Sequence, residues 1–301
     1  MAGADAHDGA LSIAGPLARN ADDLALLVER TASLPLRASG RARKDMRLLL
    51  VLDYPGSPVD DAVRGPIEEA AAALEQAGFT IDRKPRRNLP DLARQQSDYL
   101  RMLNIAMARG APGPDGKRAT ATDWFDLLDA QASSENAWEE LFDEHDFVLA
   151  PPAPVLAVPE RQGRVFDGTV TINGREESSA GALAWAGIAT FPNLPSTVLP
   201  VGQTAGLPCG LQVIGPKWAD LDCIAAAKAI RIAPLEMNAT TVGGEVHTHA
   251  AINAAMHRTN RRCCDEDHSH CPFLFLLLAE HRRAGGVGDG GFDSALRRPV
   301  R

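Results

Sequence analysis

Between Phe191 and Pro216 the chain reads FPNLPSTVLPVGQTAGLPCGLQVIGP. Two short apolar runs, about Ser196–Val201 and Cys209–Ile214, are joined by Gly202–Pro208. A parallel pair needs a crossover of about a dozen residues or more, so a link this short predicts an antiparallel hairpin. Pro195, Pro200 and Pro208 fall at the ends of the runs, where a missing N–H removes no ladder bond. Asp220 then offers a side-chain oxygen to cap a helix whose Leu221, Ile224, Ala225 and Lys228 lie near one face. Any fold for this chain must accommodate a hairpin followed at once by a helix.

The preceding chain alternates between apolar runs of strand length and helical periodicity. Asn20 is placed to cap a helix, with Asp22 and Asp23 where the helix dipole favours negative charge and Leu24, Leu26 and Leu27 as its buried stripe. Met46–Leu52 (MRLLLVL) is continuous enough for a strand covered on both faces. Pro58–Ala77 is an Ala-rich helix stopped at Gly78, and Phe79–Ile81 opens a further strand. Leu92–Ala108 predicts a helix. Asp123 is expected to cap a short helix and Ser134 the next, with Trp138, Leu141 and Phe142 at core spacing. Phe147–Ala150 is a strand, Asn173-Gly174 a hairpin turn, and Ala180–Gly187 a short helix carrying Trp185. The pattern predicts an α/β fold, a mixed β-sheet flanked by helices.

Composition sets limits on partners. Hydrophobic residues make up 45% of the 301 positions, enough for a core, while a net charge of −8 argues against nucleic acid or an anionic membrane as partner. No run approaches the length of a transmembrane helix, and MAGADAHDGAL has no signal-peptide character, so a cytoplasmic protein is expected. Residues 1–10 read as an irregular lead-in and 11–230 as the folded region. Residues 231–301 form an atypical tail, disordered or translated from a shifted frame, that collects six of the eight His and three of the five Cys.

Few constellations carry chemistry. Cys263, Cys264, His268, His270 and Cys271 are zinc-ligand types, but adjacent cysteines and an H-x-H in one acidic stretch do not converge as structural sites do, so no metal is expected. Ser178-Ser179 lacks the Gly pair that would gather N–H groups around an oxyanion and reads as a helix cap. Cys209 has no nearby His to activate it and reads as packing. His145, in a DEHD turn, reads as solvated surface. Lys44, Lys84, Lys117, Lys217 and Lys228 sit in no apolar strand or Ser-rich loop where burial would make them bases. The residues present supply no catalytic set, and no cofactor motif appears.

Three stretches nevertheless resemble one family in order and spacing. They are GPLARNADDLALLVE at Gly15–Glu29, the aromatic helix and DFVLAPP of Trp138–Pro152, and NLPSTVLPVGQTAGLPCGLQVIGP in the hairpin. Together they resemble the back half of amidase-signature hydrolases, over about Leu11–Ile230. The resemblance implies an amidase-signature fold and hydrolysis of a carboxylic amide to acid and amine. The Lys and the Gly/Ser-rich stretch that supply the family's catalysis have no counterpart in this sequence, so a truncated form inactive alone is expected. The alternative is a non-catalytic remnant or binding module. Trp185, Phe191 and Asn193 are the expected substrate-pocket wall. The expected partners are a small amide and either a second copy or a complementing chain, because apolar Ser196–Val201 carries no charge to protect an open edge.

Overall fold

Five strands form one mixed sheet: Arg47–Leu50 (β1), Thr80–Asp82 (β2), Phe147–Ala150 (β3), Ser196–Thr204 (β6) and Leu207–Ile214 (β7), in the order β2-β1-β3-β7-β6. Thr169–Ile172 (β4) and Arg175–Ser178 (β5) make a separate two-stranded ribbon. The helices are Ala21–Thr31 (α1), Asp61–Gln76 (α2), Leu92–Ala108 (α3), Ala121–Phe142 (α4), Leu183–Thr190 (α5) and Asp220–Ile232 (α6). This computed structural model describes residues 11, 15–42, 45–85, 89–108, 110–113, 116–159 and 168–232. The lead-in, the Cys263–Cys271 cluster and nearly all of the tail lie outside the described residues.

The α/β architecture is as the sequence pattern predicts. β1 runs parallel to both β2 and β3, and β3 runs antiparallel to β7. Met46, Leu48, Leu49, Phe147, Val148 and Leu149 are fully buried, which explains runs without polar alternation. The run Met46–Leu52 is interior, whereas Ser196–Val201 lies in β6, an edge of the described sheet. In β6 the pattern alternates, leaving Val198 exposed.

The hairpin forms with longer strands than the sequence suggests, because the chain turns at Ala205-Gly206 alone, both left-handed. A bulge lies between Pro200 and Gly202. Gly202 meets α2 there: a Cβ on it would stand 2.9 Å from Cβ of Pro66. Pro66 lies inside α2 and has no N–H, so the carbonyl of Ala62 loses its helical partner. The Thr204 hydroxyl donates to that carbonyl at 2.9 Å, so the hairpin completes the helix it packs on.

Several local expectations are corrected. In α1 the Asn20 cap forms, but no residue is buried and Leu26 and Leu27 are exposed. The helix meets α6 instead through the half-buried side holding Ala21, Leu24, Ala25 and Val28. Residues 121–142 form one helix rather than two. Thr120 is its cap in a reciprocal capping box with Asp123, and the Ser134 hydroxyl donates to Gln95. Asp220 is the first residue of α6 rather than its cap, and the first helical bond runs from Cys223 N–H to the Ala219 carbonyl. The short helix near Trp185 is a 3-10 turn, Ser179–Ala182, leading into α5, with Ser178 as cap. His145 is buried rather than solvated, because the turn tucks beneath β2, where Asp82 Oδ2 stands 3.0 Å from its Nε2.

Candidate functional site

In an open α/β sheet, ligands gather outside the carboxyl ends of the strands, where the strand order reverses. Here that point lies between β1 and β3, because the chain steps from β1 to β2 on one side and returns to β3 on the other. Directly beyond it the crevice is plugged by side chains. Trp185, fully buried, donates its indole N–H to the Ser57 carbonyl at 3.2 Å and meets the Tyr54 ring edge-on at 5.4 Å. The Ser57 hydroxyl donates to the Gly181 carbonyl. Gln212 donates to the carbonyls of Pro151 at 2.8 Å and Trp185 at 2.9 Å, and accepts from Ser196.

Two further glutamines satisfy the end of α5. The Gln95 amide nitrogen donates to the Gly187 and Ile188 carbonyls, while its oxygen accepts from Trp138 and Ser134. Gln131 donates to the Phe191 carbonyl at 2.8 Å. The last carbonyls of a helix have no partner within it, and a buried one left unpaired costs about 1–3 kcal/mol. Gly187 lets α3 approach: a Cβ there would sit 2.6 Å from the Tyr99 ring.

Outside this plug lies an open groove of about 690 Å³, lined by Leu52, Tyr54, Pro58, Leu89, Leu92 and neighbours, with Asp53, Arg64, Asp91 and Asn173 as its polar groups. Arg64 reaches across from α2, and a single nitrogen, Nη2, donates to the Leu52 carbonyl at 3.0 Å and to Asp53 at 2.7 Å. The Asp53 side chain is 92% exposed. Burial, reinforced by the Asp91 carboxylate, pushes the Tyr54 hydroxyl far above its ordinary range, and that hydroxyl donates to the Leu92 carbonyl. The ribbon supplies the last wall. Asn173, left-handed at the turn, donates its N–H to Asp60 and accepts from Asp61 N–H, both at 2.8 Å. Asp60 also caps α2, so cap and ribbon tip share one carboxylate.

A second polar cleft, of about 390 Å³, lies at the opposite ends of β1 and β3. Its groups are engaged in the fold. Arg41 donates to the Phe142 carbonyl and Arg47 to the Asp143 carbonyl, capping the end of α4. Both arginines pair with the buried Asp146, which also accepts the Arg47 N–H at 2.7 Å. Asp222 accepts the backbone N–H groups of Ser39, Gly40 and Arg41.

Of the three residues expected on the pocket wall, Trp185 is the buried plug behind Tyr54. Phe191 is buried in a second core with Tyr99, Met102 and Leu127. Asn193 is half-buried and left-handed, and donates to Glu135, which also pairs with Lys217 at 2.6 Å. The structure does not bring the three into one site. Arg64, Asp53 and Asn173 were missed, although Asp53-Tyr54-Pro55-Gly56 follows an apolar strand directly, where binding loops are found. Cys209 and Cys223 are buried, and burial raises both thiols, Cys209 to about 11. Among the described residues no group of His, Cys, Asp and Glu is arranged to hold a metal, and no helix is long and apolar enough to cross a membrane.

Residues 92–224 match the family model described as amidase. The chain is 24% identical over 244 residues to an indoleacetamide hydrolase of Bradyrhizobium japonicum, covering 73% of this chain and 51% of the relative. It is 31% identical over 120 residues to a glutamyl-tRNA(Gln) amidotransferase component of Halobacterium salinarum, covering 38% of this chain and 26% of the relative. The fold is similar to that of a bacterial aryl acylamidase of the amidase signature family, with a TM-score of 0.54 at 22% identity, over 73% of this chain and 53% of that one. The chain thus spans about half or less of the length of these relatives.

Proposed function

With residues 92–224 carrying the amidase pattern and the fold that of amidase-signature enzymes, we propose that this chain serves hydrolysis of a carboxylic amide C–N bond. It would do so as the sheet and groove of a larger catalytic unit. The observation that carries this reading is the groove at the β1–β3 switch point, apolar with a few convergent polar groups and of the size that small ligands occupy. The described residues hold neither an activated Ser nor a buried Lys base, so the nucleophile and proton acceptor would come from a complementing polypeptide. β6, uncharged from Ser196 to Thr204 and open on one side, would be the edge that receives it. In this reading Trp185 supports the groove from behind through Tyr54, and Phe191 and Asn193 shape the entry to the hairpin.

Co-expression with a polypeptide carrying the amidase-type Lys and two Ser tests this. Turnover of simple aryl and arylalkyl amides is expected from the pair and not from this chain alone. Stoichiometric fluorophosphonate labelling of a Ser in the isolated chain, with turnover lost on labelling, would overturn the complementation. A pair that assembles without turnover would favour the second reading, a module that binds without catalysis, for which the missing Ser and Lys are the supporting observation.

A further inference from the structure

We propose that the groove outside β1 binds a primary carboxamide head group through Arg64 and Asp53, with the apolar body of the ligand along Leu52, Leu89 and Pro90. The head-group chemistry follows from what this pair leaves unspent. Arg64 uses only Nη2, on Leu52 and Asp53, so Nε–H and Nη1–H donate to nothing among the described residues. Asp53 uses one carboxylate oxygen, and the other faces solvent. Unspent donors therefore stand beside an unspent acceptor at the mouth of an apolar groove. A primary carboxamide is their complement, with a carbonyl that accepts from Arg64 and an NH₂ that donates to Asp53.

Charged head groups fit less well. A carboxylate would have to displace Asp53 and would face both Asp53 and Asp91 across the groove, two negative groups against one guanidinium. An ammonium would reach Asp53 but meet Arg64 as a like charge and leave its donors unused. The neutral amide alone satisfies both partners without separating them. The walls are preformed: the Tyr54 hydroxyl is fixed on Leu92, Trp185 holds the ring from behind, and Asn173 is locked on Asp60 and Asp61. Binding thus orders little of the protein, which favours affinity for a small ligand.

This inference deepens the amide-hydrolase reading by naming a head-group site, and its test is binding alone. The full chain is titrated with phenylacetamide, phenylacetate and phenethylammonium by calorimetry. Phenylacetamide is expected to bind saturably, about tenfold or more tighter than either charged analogue. Arg64→Gln and Asp53→Ala should each weaken it about tenfold with an unchanged circular dichroism spectrum. Arg64→Lys, which keeps the charge and loses the planar fork, should weaken it as well. No saturable binding, equal binding of either charged analogue, or unchanged affinity in the variants would overturn the inference. Binding as expected without turnover in the complemented pair would leave this site standing and remove the hydrolase reading. Turnover with KM unaffected by Arg64→Gln would do the reverse.

Discussion

The two ends of the β1–β3 pair both hold arginine beside aspartate, and they differ in how far those groups are used. At the amino end Asp146 is buried, two arginines converge on it, and each arginine also caps a carbonyl at the end of α4. At the carboxyl end Asp53 is almost wholly exposed and Arg64 spends one nitrogen of three. A buried charge must be paired and hydrogen-bonded to be tolerated, so the amino-end cluster is accounted for by folding. An exposed pair contributes about 0–1 kcal/mol, so folding gives little reason for the carboxyl-end pair. Groups that the fold does not use are the ones free to meet a ligand.

The contrast can be broken first at the groups the fold uses most. Gln95→Leu leaves two carbonyls, an indole N–H and a hydroxyl without their partner, and should cost about 3–4 kcal/mol in urea unfolding, at about 1–3 kcal/mol per unpaired buried group offset by relaxation. A loss below about 1 kcal/mol would show that the glutamine network is not holding α5. Asp146→Ala comes next, with an expected loss of about 2 kcal/mol, since the Arg47 N–H and two guanidinium groups lose their acceptor.

Legibility in the sequence followed a similar division. The strands were readable because Leu48–Leu50 and Phe147–Ala150 are apolar without a break, and the Asn173-Gly174 turn because left-handed geometry favours that pair. The helix face of α1 was not, since three leucines in the first two turns say nothing about which neighbour covers them. His145 was misread because DEHD is polar in sequence, and only the tertiary placement of Asp82 gives the imidazole a buried partner. The groove was illegible for the same reason: Arg64, Asp53 and Asn173 come from a helix, a loop and a ribbon that only the fold brings together. Gln212 carried a signal that went unread, a lone amide inside the apolar run GLQVI.

A smaller effect concerns the two tyrosines, the only ones in the chain. Burial raises both Tyr54 and Tyr99 above their ordinary value. The unfolded chain therefore gives up these protons first, so stability is level below about pH 10 and falls as pH rises beyond it. Absorbance at 295 nm should show no tyrosine ionisation before unfolding. Ionisation of one tyrosine near pH 10 in the folded chain would show that the groove side of Tyr54 is open to water. The smallest effect is expected for Asp53→Ala, whose stability should stay within about 0.5 kcal/mol of the parent, as for other exposed sites. A loss as large as that of Asp146→Ala would erase the difference between the two ends.

The most direct measurement is the arginine side-chain Nε–H spectrum during titration with phenylacetamide, because it reads both ends of the sheet in one sample. Arg64 lines the groove and Arg47 the opposite cleft. The Arg64 resonance should shift and saturate while Arg47 stays fixed. Movement of Arg47 together with or instead of Arg64, or no movement of either, would contradict the placement of the binding face at the carboxyl ends of β1 and β3.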